Sequence, residues 1–129
     1  MTGQRARNVS ELQIILGKLF TAGGIEKGLA FQPEPSDVII SPFAKSGTTW
    51  MQSICGLLIF GEPDADIAYP EISPWVEFSL SSKLIETRLA LLKAQTHQRF
   101  IKSHSPLDGV PYFKDCTYLV CHRHHKTVI

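Results

Sequence analysis

Val38-Ile39-Ile40-Ser41-Pro42-Phe43-Ala44-Lys45-Ser46-Gly47-Thr48-Thr49-Trp50 opens with a β-branched run, the pattern of a strand buried on both faces. From Trp50 onward, Met51, Ile54, Cys55, Leu57 and Leu58 extend a wide apolar stripe at helical spacing, which Gly61 and Pro63 bring to an end. A short buried strand passing through a glycine-containing loop into a helix is the start of an α/β unit with a parallel sheet. Gly47 lets the backbone approach a ligand closely, and the N–H groups around Ser46 to Thr49 point outward at a helix start, where an anion is favoured. Lys45 adds a mobile cation and Ser46, Thr48 and Thr49 add hydroxyl donors, so a phosphate or sulfonate is held from several directions. The Walker A loop has a different order. It needs Gly-Lys-Ser/Thr after an earlier glycine, whereas here Lys45 precedes Gly47, so ATP hydrolysis is disfavoured.

Working outward, Met1 to Val9 are polar and read as a flexible arm, with the domain expected over residues 10–129. Leu12, Ile15, Leu16, Leu19 and Phe20 recur at helical spacing, Ser10 with Gln13 forms a capping-box pattern, and Gly23-Gly24 supplies the expected stop. Glu62 to Pro74, rich in Pro and acidic residues, reads as an irregular surface connection. Ser82 to Thr96 carries Leu84, Ile85, Leu89 and Leu92 among charged residues and predicts a second amphipathic helix of the unit. Arg99 to Lys102 and Thr117 to Cys121 predict strands, the first ending at Ser103-His104-Ser105-Pro106 and the second at His122-Arg123. The chain stops at Ile129, where a third strand would normally hand over to a helix. The expectation is therefore a three-layer α/β fold truncated after its third core strand, with an exposed sheet or helix surface open to self-association.

At 129 residues, 43% of them hydrophobic, the chain has the size and composition of one globular domain. Thirteen Lys and Arg against twelve Asp and Glu leave a net charge of +1, which excludes the broad positive footprint of a general nucleic-acid binder. Three cysteines, Cys55, Cys116 and Cys121, argue against a disulfide framework and for a reducing compartment. No run reaches the roughly 18 apolar residues of a membrane span. Arg5 and Arg7 imitate the start of a signal peptide, but Glu11, Gln13 and Lys18 interrupt the apolar stretch that should follow, so a cytoplasmic address is expected. Cys116, Cys121, His122, His124 and His125 invite a metal reading, yet their spacing matches no recognised site, and no metal is expected.

Lys45-Ser46-Gly47-Thr48-Thr49-Trp50 resembles the 5′-phosphosulfate loop of sulfotransferases that use 3′-phosphoadenosine 5′-phosphosulfate (PAPS), with Ala44 where that family commonly has Pro. Arg99-Phe100-Ile101-Lys102-Ser103-His104-Ser105-Pro106 is similar to the family's Lys-Thr-His-Leu-Pro segment, with Ser for Thr and Ser for Leu. Tyr118 to Arg123 is similar to the strand whose closing Arg contacts the 3′-phosphate. The resemblance implies a P-loop-like, doubly wound fold, represented by its N-terminal part. It also implies sulfuryl transfer from PAPS as co-substrate to a small-molecule hydroxyl or amine, in line and without a metal. On that resemblance Lys45 offsets charge on the leaving group, Lys102 holds the sulfuryl oxygens and His104 is the general base. Ser46, Gly47, Thr48 and Thr49 clamp the 5′-phosphate, Trp50 lines the nucleotide pocket and Arg123 is the fork on the 3′-phosphate.

The chain departs from the family after Arg123. His124-His125-Lys126-Thr127-Val128 replaces an Asn/Asp/His-Pro-Lys-Asp-Val segment and the serine that follows it, and the later Gly-x-x-Gly-x-x-Lys loop is absent. One alternative is a truncated, catalytically inactive nucleotide-binding remnant. Another is a P-loop kinase or NTPase, which would need ATP, Mg²⁺ and a metal-holding Asp after a strand.

Overall fold

The computed structural model describes residues 8–11, 13, 14, 22–62, 68–78, 82–105 and 109–124. Its elements are α1 (Ala22–Leu29), β1 (Val38–Ile40), α2 (Thr48–Phe60), α3 (Tyr69–Ile72), α4 (Ser82–Ala94), β2 (Phe100–Lys102) and β3 (Thr117–Leu119). Among the described residues the strands form one sheet in the order β2-β1-β3. Both pairings are parallel, with Ile39 opposite Ile101 and Tyr118.

The two-residue period of the strands distributes the core over both faces of this sheet. Ile39 and Ile101 join Phe31, Val76, Leu92 and Val110 on one face, where Leu29 of α1 and Leu89 of α4 also pack. Ile40 and Phe100 join Cys55 on the other, against Met51 and Ile59 of α2 and Tyr69 and Ile72 of α3. Helices thus cover both faces, and the α/β expectation with a parallel sheet holds. Below the strands, Arg99 is buried and forks onto Asp37, with its Nε 2.9 Å from Oδ1. Asp37 Oδ2 also accepts the Glu34 N–H at 2.8 Å, so the starts of β1 and β2 are pinned by one ion pair.

Several local expectations change. Gly23-Gly24 lie in the first turn of α1, which runs to Leu29, and the end of the helix expected from Ser10 lies outside the described residues. Farther along α1, a Cβ on Gly28 would collide with the Val76 carbonyl, so the helix backbone lies directly against the segment before α4. At the start of the chain the cap is Asn8, whose Oδ1 accepts the Glu11 N–H at 2.9 Å, rather than Ser10. Leu12, Ile15, Leu16, Leu19, Phe20 and the arm over residues 1–7 lie outside the described residues. The supposed surface connection contains helix α3 and the buried Ser73 and Pro74, because Gln52 of α2 reaches across to donate to Ser73 O and Oγ at 3.1 and 2.9 Å. β3 ends at Leu119 rather than Cys121. The apolar stripe of α2 turns mostly outward, since its buried residues are Thr48, Gln52, Cys55 and Gly56. Trp50 and Leu58 are 76% and 79% exposed.

Candidate active site

The carboxyl ends of the three parallel strands converge on the loop Ser41–Gly47, the place where ligands bind in open α/β sheets. Hydrogen bonds fix that loop on both sides. Toward β3, Ser41 N donates to Leu119 O at 2.9 Å and Phe43 N to Cys121 O at 3.3 Å. Toward β2, Ser103 N donates to Ile40 O at 2.9 Å, and Ser41 Oγ donates to Ser105 O at 2.8 Å. His104 Nδ1 lies 3.2 Å from Pro42 O, a contact that a proton on Nδ1 satisfies and that leaves Nε2 with its lone pair. The loop and the 102–105 segment are therefore one construction.

Within the loop, Ser46 N donates to Phe43 O at 3.1 Å and closes a turn in which Lys45 takes φ 63°, and Gly47 just beyond it takes φ 109°. Gly47 is the N-cap of α2 and offers no side chain to its first N–H groups, which have no acceptor within the helix. A Cβ at Gly47 would meet nothing within 4 Å among the described residues, so the space over the helix start is open. Ser46 Oγ is buried and has no hydrogen-bond partner among the described residues. Lys45 and Thr49 are exposed, and Thr48 is buried. Open space, unsatisfied donors and a nearby cation fit an anionic group such as the phosphate of PAPS.

Beside the loop, Lys102 is half-buried with its Nζ 4.5 Å from the Trp75 ring centroid. Burial pulls the Lys102 ammonium below its ordinary pKa, and the Glu77 carboxylate opposes that shift. The His104 ring meets the edge of Trp75 at 4.8 Å between centroids, and Trp75 stacks on Phe78 at 4.4 Å. A cleft of ≈ 230 Å³ is walled by Tyr69, Trp75 and Phe78, with Gln52, Ser73, Arg88 and Lys102 among its polar residues. Arg88 donates to the carbonyls of Trp75 and Phe78. Glu77, buried at the back of this construction, accepts from Ser103 and from the backbone of His104 and Ser105.

Lys45, Ser46, Gly47, Thr48, Lys102 and His104 thus lie on segments joined by direct hydrogen bonds. Trp50 faces outward on α2, and Arg123 is exposed, two residues beyond the Cys121 carbonyl that meets the loop. Sequence reasoning passed over Gln52, Trp75, Glu77 and Arg88. A signal was present: Glu77 is the lone charge in Trp75-Val76-Glu77-Phe78, where a surface acid would not be expected. Among the described residues no group of three or more His, Cys, Asp or Glu is arranged to hold a metal ion. None of their helices is long and apolar enough to cross a membrane.

Comparison with known proteins bears on the fold and the family. A glycolipid sulfotransferase of Mycobacterium tuberculosis is 44% identical over 81 residues, covering 63% of this chain and 24% of the relative. Cytosolic sulfotransferase 1 of Danio rerio is 36% identical over 90 residues, covering 67% of this chain and 30% of the relative. A mouse sulfotransferase crystallised with PAP shares the fold with a TM-score of 0.55 at 23% identity, over 80% of this chain and 34% of that one. The chain therefore spans about a quarter to a third of the length of these proteins. The sulfotransferase domain family itself matches residues 35–129, most of the chain and every segment of the site, and the chain belongs to that family.

Proposed function

We propose that this chain carries the donor site and reaction centre of a PAPS-dependent sulfotransferase that acts on a hydroxyl or amine of a small-molecule acceptor. The observation that carries the proposal is the helix start at Gly47, where N–H groups with no acceptor in the helix border open space, the buried Ser46 hydroxyl has no partner among the described residues, and the loop is tied by a hydrogen bond to His104. Lys45 and the loop from Ser46 to Thr49 hold the 5′-phosphate and offset the charge that develops there as the bond from sulfur to the phosphate oxygen breaks. His104 takes the acceptor's proton on Nε2 while the acceptor atom bonds to sulfur, and the leaving oxygen keeps the electron pair. Lys102 binds the sulfuryl oxygens, Arg123 holds the 3′-phosphate and Trp50 lines the nucleotide pocket. These steps require no metal.

The cleft walled by Tyr69, Trp75 and Phe78 suits an acceptor that presents a ring. Similarity to a glycolipid sulfotransferase favours a sugar hydroxyl. A cytoplasmic address and self-association through the exposed face of α2 belong to the same reading.

The test is a thermal melt of the full chain with 3′,5′-adenosine bisphosphate, with AMP and ATP as controls. Ligand at a hundredfold over its Kd stabilises the folded state by about 2.7 kcal/mol. The expected result is a rise in Tm that is selective for the bisphosphate and lost in Lys45→Ala. A cooperative melt with no shift overturns the donor site. Binding without transfer of labelled sulfate from PAPS to any acceptor identifies an inactive remnant instead.

A further inference from the structure

Glu77 lies between α3 and α4 and is 2% exposed. Its Oε1 accepts hydrogen bonds from Ser103 Oγ at 3.0 Å, from Ser105 N at 3.1 Å and from the backbone N–H of His104. Ser103 Oγ in turn accepts a second bond from Ser105 N at 3.1 Å. Donors from three consecutive residues therefore meet one carboxylate oxygen. On the opposite side the same segment is held by the Ser41 hydroxyl on Ser105 O and by Pro42 O on the His104 ring.

The other oxygen, Oε2, is buried without a hydrogen-bond partner among the described residues. A neutral amide oxygen at the same reach would accept the same donors, so the grip on this segment depends on the reach of the acceptor oxygen rather than on its charge. The cations that feel its charge are Lys102 and Arg88, both half-buried around the Trp75 and Phe78 rings.

We infer that Glu77 is the positioning residue of the reaction centre, gripping the turn from Ser103 to Ser105 so that the His104 ring stays seated on Pro42 O beside the phosphate-binding loop. The assignment rests on the reading of His104 and Lys102 as reaction-centre groups. Glu77 touches neither donor nor acceptor and acts through the residues it holds.

The experiment follows the ring ¹H–¹⁵N signals of His104 and the exchange of the His104 and Ser105 amides in the full chain, for wild type, Glu77→Gln and Glu77→Asp. Glu77→Gln keeps an acceptor oxygen at the same reach, so the His104 signals are expected at their wild-type positions. Glu77→Asp keeps the charge but draws the oxygen back by a methylene. It is expected to displace the His104 signals and to speed exchange of both amides about tenfold or more. A folded Glu77→Asp chain with wild-type His104 signals and wild-type amide protection overturns the inference. Should Glu77→Asp not fold, the wild type decides: both amides protected supports the grip, and both exchanging at the rate of exposed chain refutes it. Loss of the bisphosphate melt shift in wild type would remove the donor site and leave the His104 comparison intact, so the two readings fail separately.

Discussion

Lys45 adopts a left-handed backbone angle that a residue with a Cβ rarely takes, at a cost of about 1–3 kcal/mol. The turn from Phe43 O to Ser46 N holds it, and Lys45 stands exposed two residues before the N-cap of α2. Lys102 is placed by the opposite means, on a strand end and half inside the protein. Its pKa is lowered by burial, against the pull of Glu77, so its neutral form is favoured more than in an exposed lysine. The sign follows directly. As pH rises, Lys102 loses its proton earlier than an ordinary lysine, and any step that needs its charge on the sulfuryl oxygens weakens on the alkaline side. Lys102→Arg keeps a charge at every accessible pH. Rates of transfer from PAPS measured against pH are expected to show an alkaline fall in wild type that moves to higher pH in Lys102→Arg. An alkaline limb at the same position in both proteins would assign that fall to another group.

At the scale of elements, the same backbone that carries the site is set by close approaches that a linear chain does not display. Gly28 touches the Val76 carbonyl, so Gly28→Ala must part α1 from the segment that also carries Glu77. Overpacking of this kind costs about 1–3 kcal/mol, and a urea melt of Gly28→Ala is expected to lose stability in that range. A melt unchanged from wild type would mean that α1 is free to move away. Local chemistry made β1, α2 and α4 legible: Val38-Ile39-Ile40 has no other comfortable reading, Gly61 ends α2 in a left-handed cap, and Leu89 and Leu92 of α4 face the core. The close seat of Gly28 on residues near 76 was not legible, because its partner lies far along the chain and glycine within a helix is disfavoured by intrinsic propensity. Glu77 was invisible for a related reason. Its donors lie 26 to 28 residues downstream, and only the bridge of the Pro74–Val76 segment onto the edge of β2 brings them alongside. The loop from Lys45 to Thr49 could be read because all its parts are contiguous.

Over the whole molecule, the sheet is covered on both faces, but the outer face of α2 is not. Trp50, Ile54, Leu57 and Leu58 fall at helical spacing on one side of a helix that carries no charged residue, and all four are exposed. The sheet receives another side of α2, where Cys55 packs with Ile40 and Phe100 and Met51 and Ile59 lie against them. Folded monomers seldom expose a contiguous apolar patch of more than a few hundred Å². Two surfaces therefore compete as the site of association, the sheet edges and this helix face. The β2 edge is already occupied, since Lys102 N donates to Pro74 O and Val76 N donates to Lys102 O. The β3 edge offers only three residues, too short a template for stable pairing with another chain. Association between copies of this chain is thus expected through α2. Sedimentation of wild type over a range of concentrations should show reversible self-association, and Leu58→Lys should shift it toward monomer. Because Leu58 is 79% exposed, that substitution should leave the thermal melt of the monomer within about 0.5 kcal/mol of wild type. Association unchanged in Leu58→Lys would move the contact to the β3 edge, and a wild type that stays monomeric at every concentration would show that the exposed face of α2 does not self-associate.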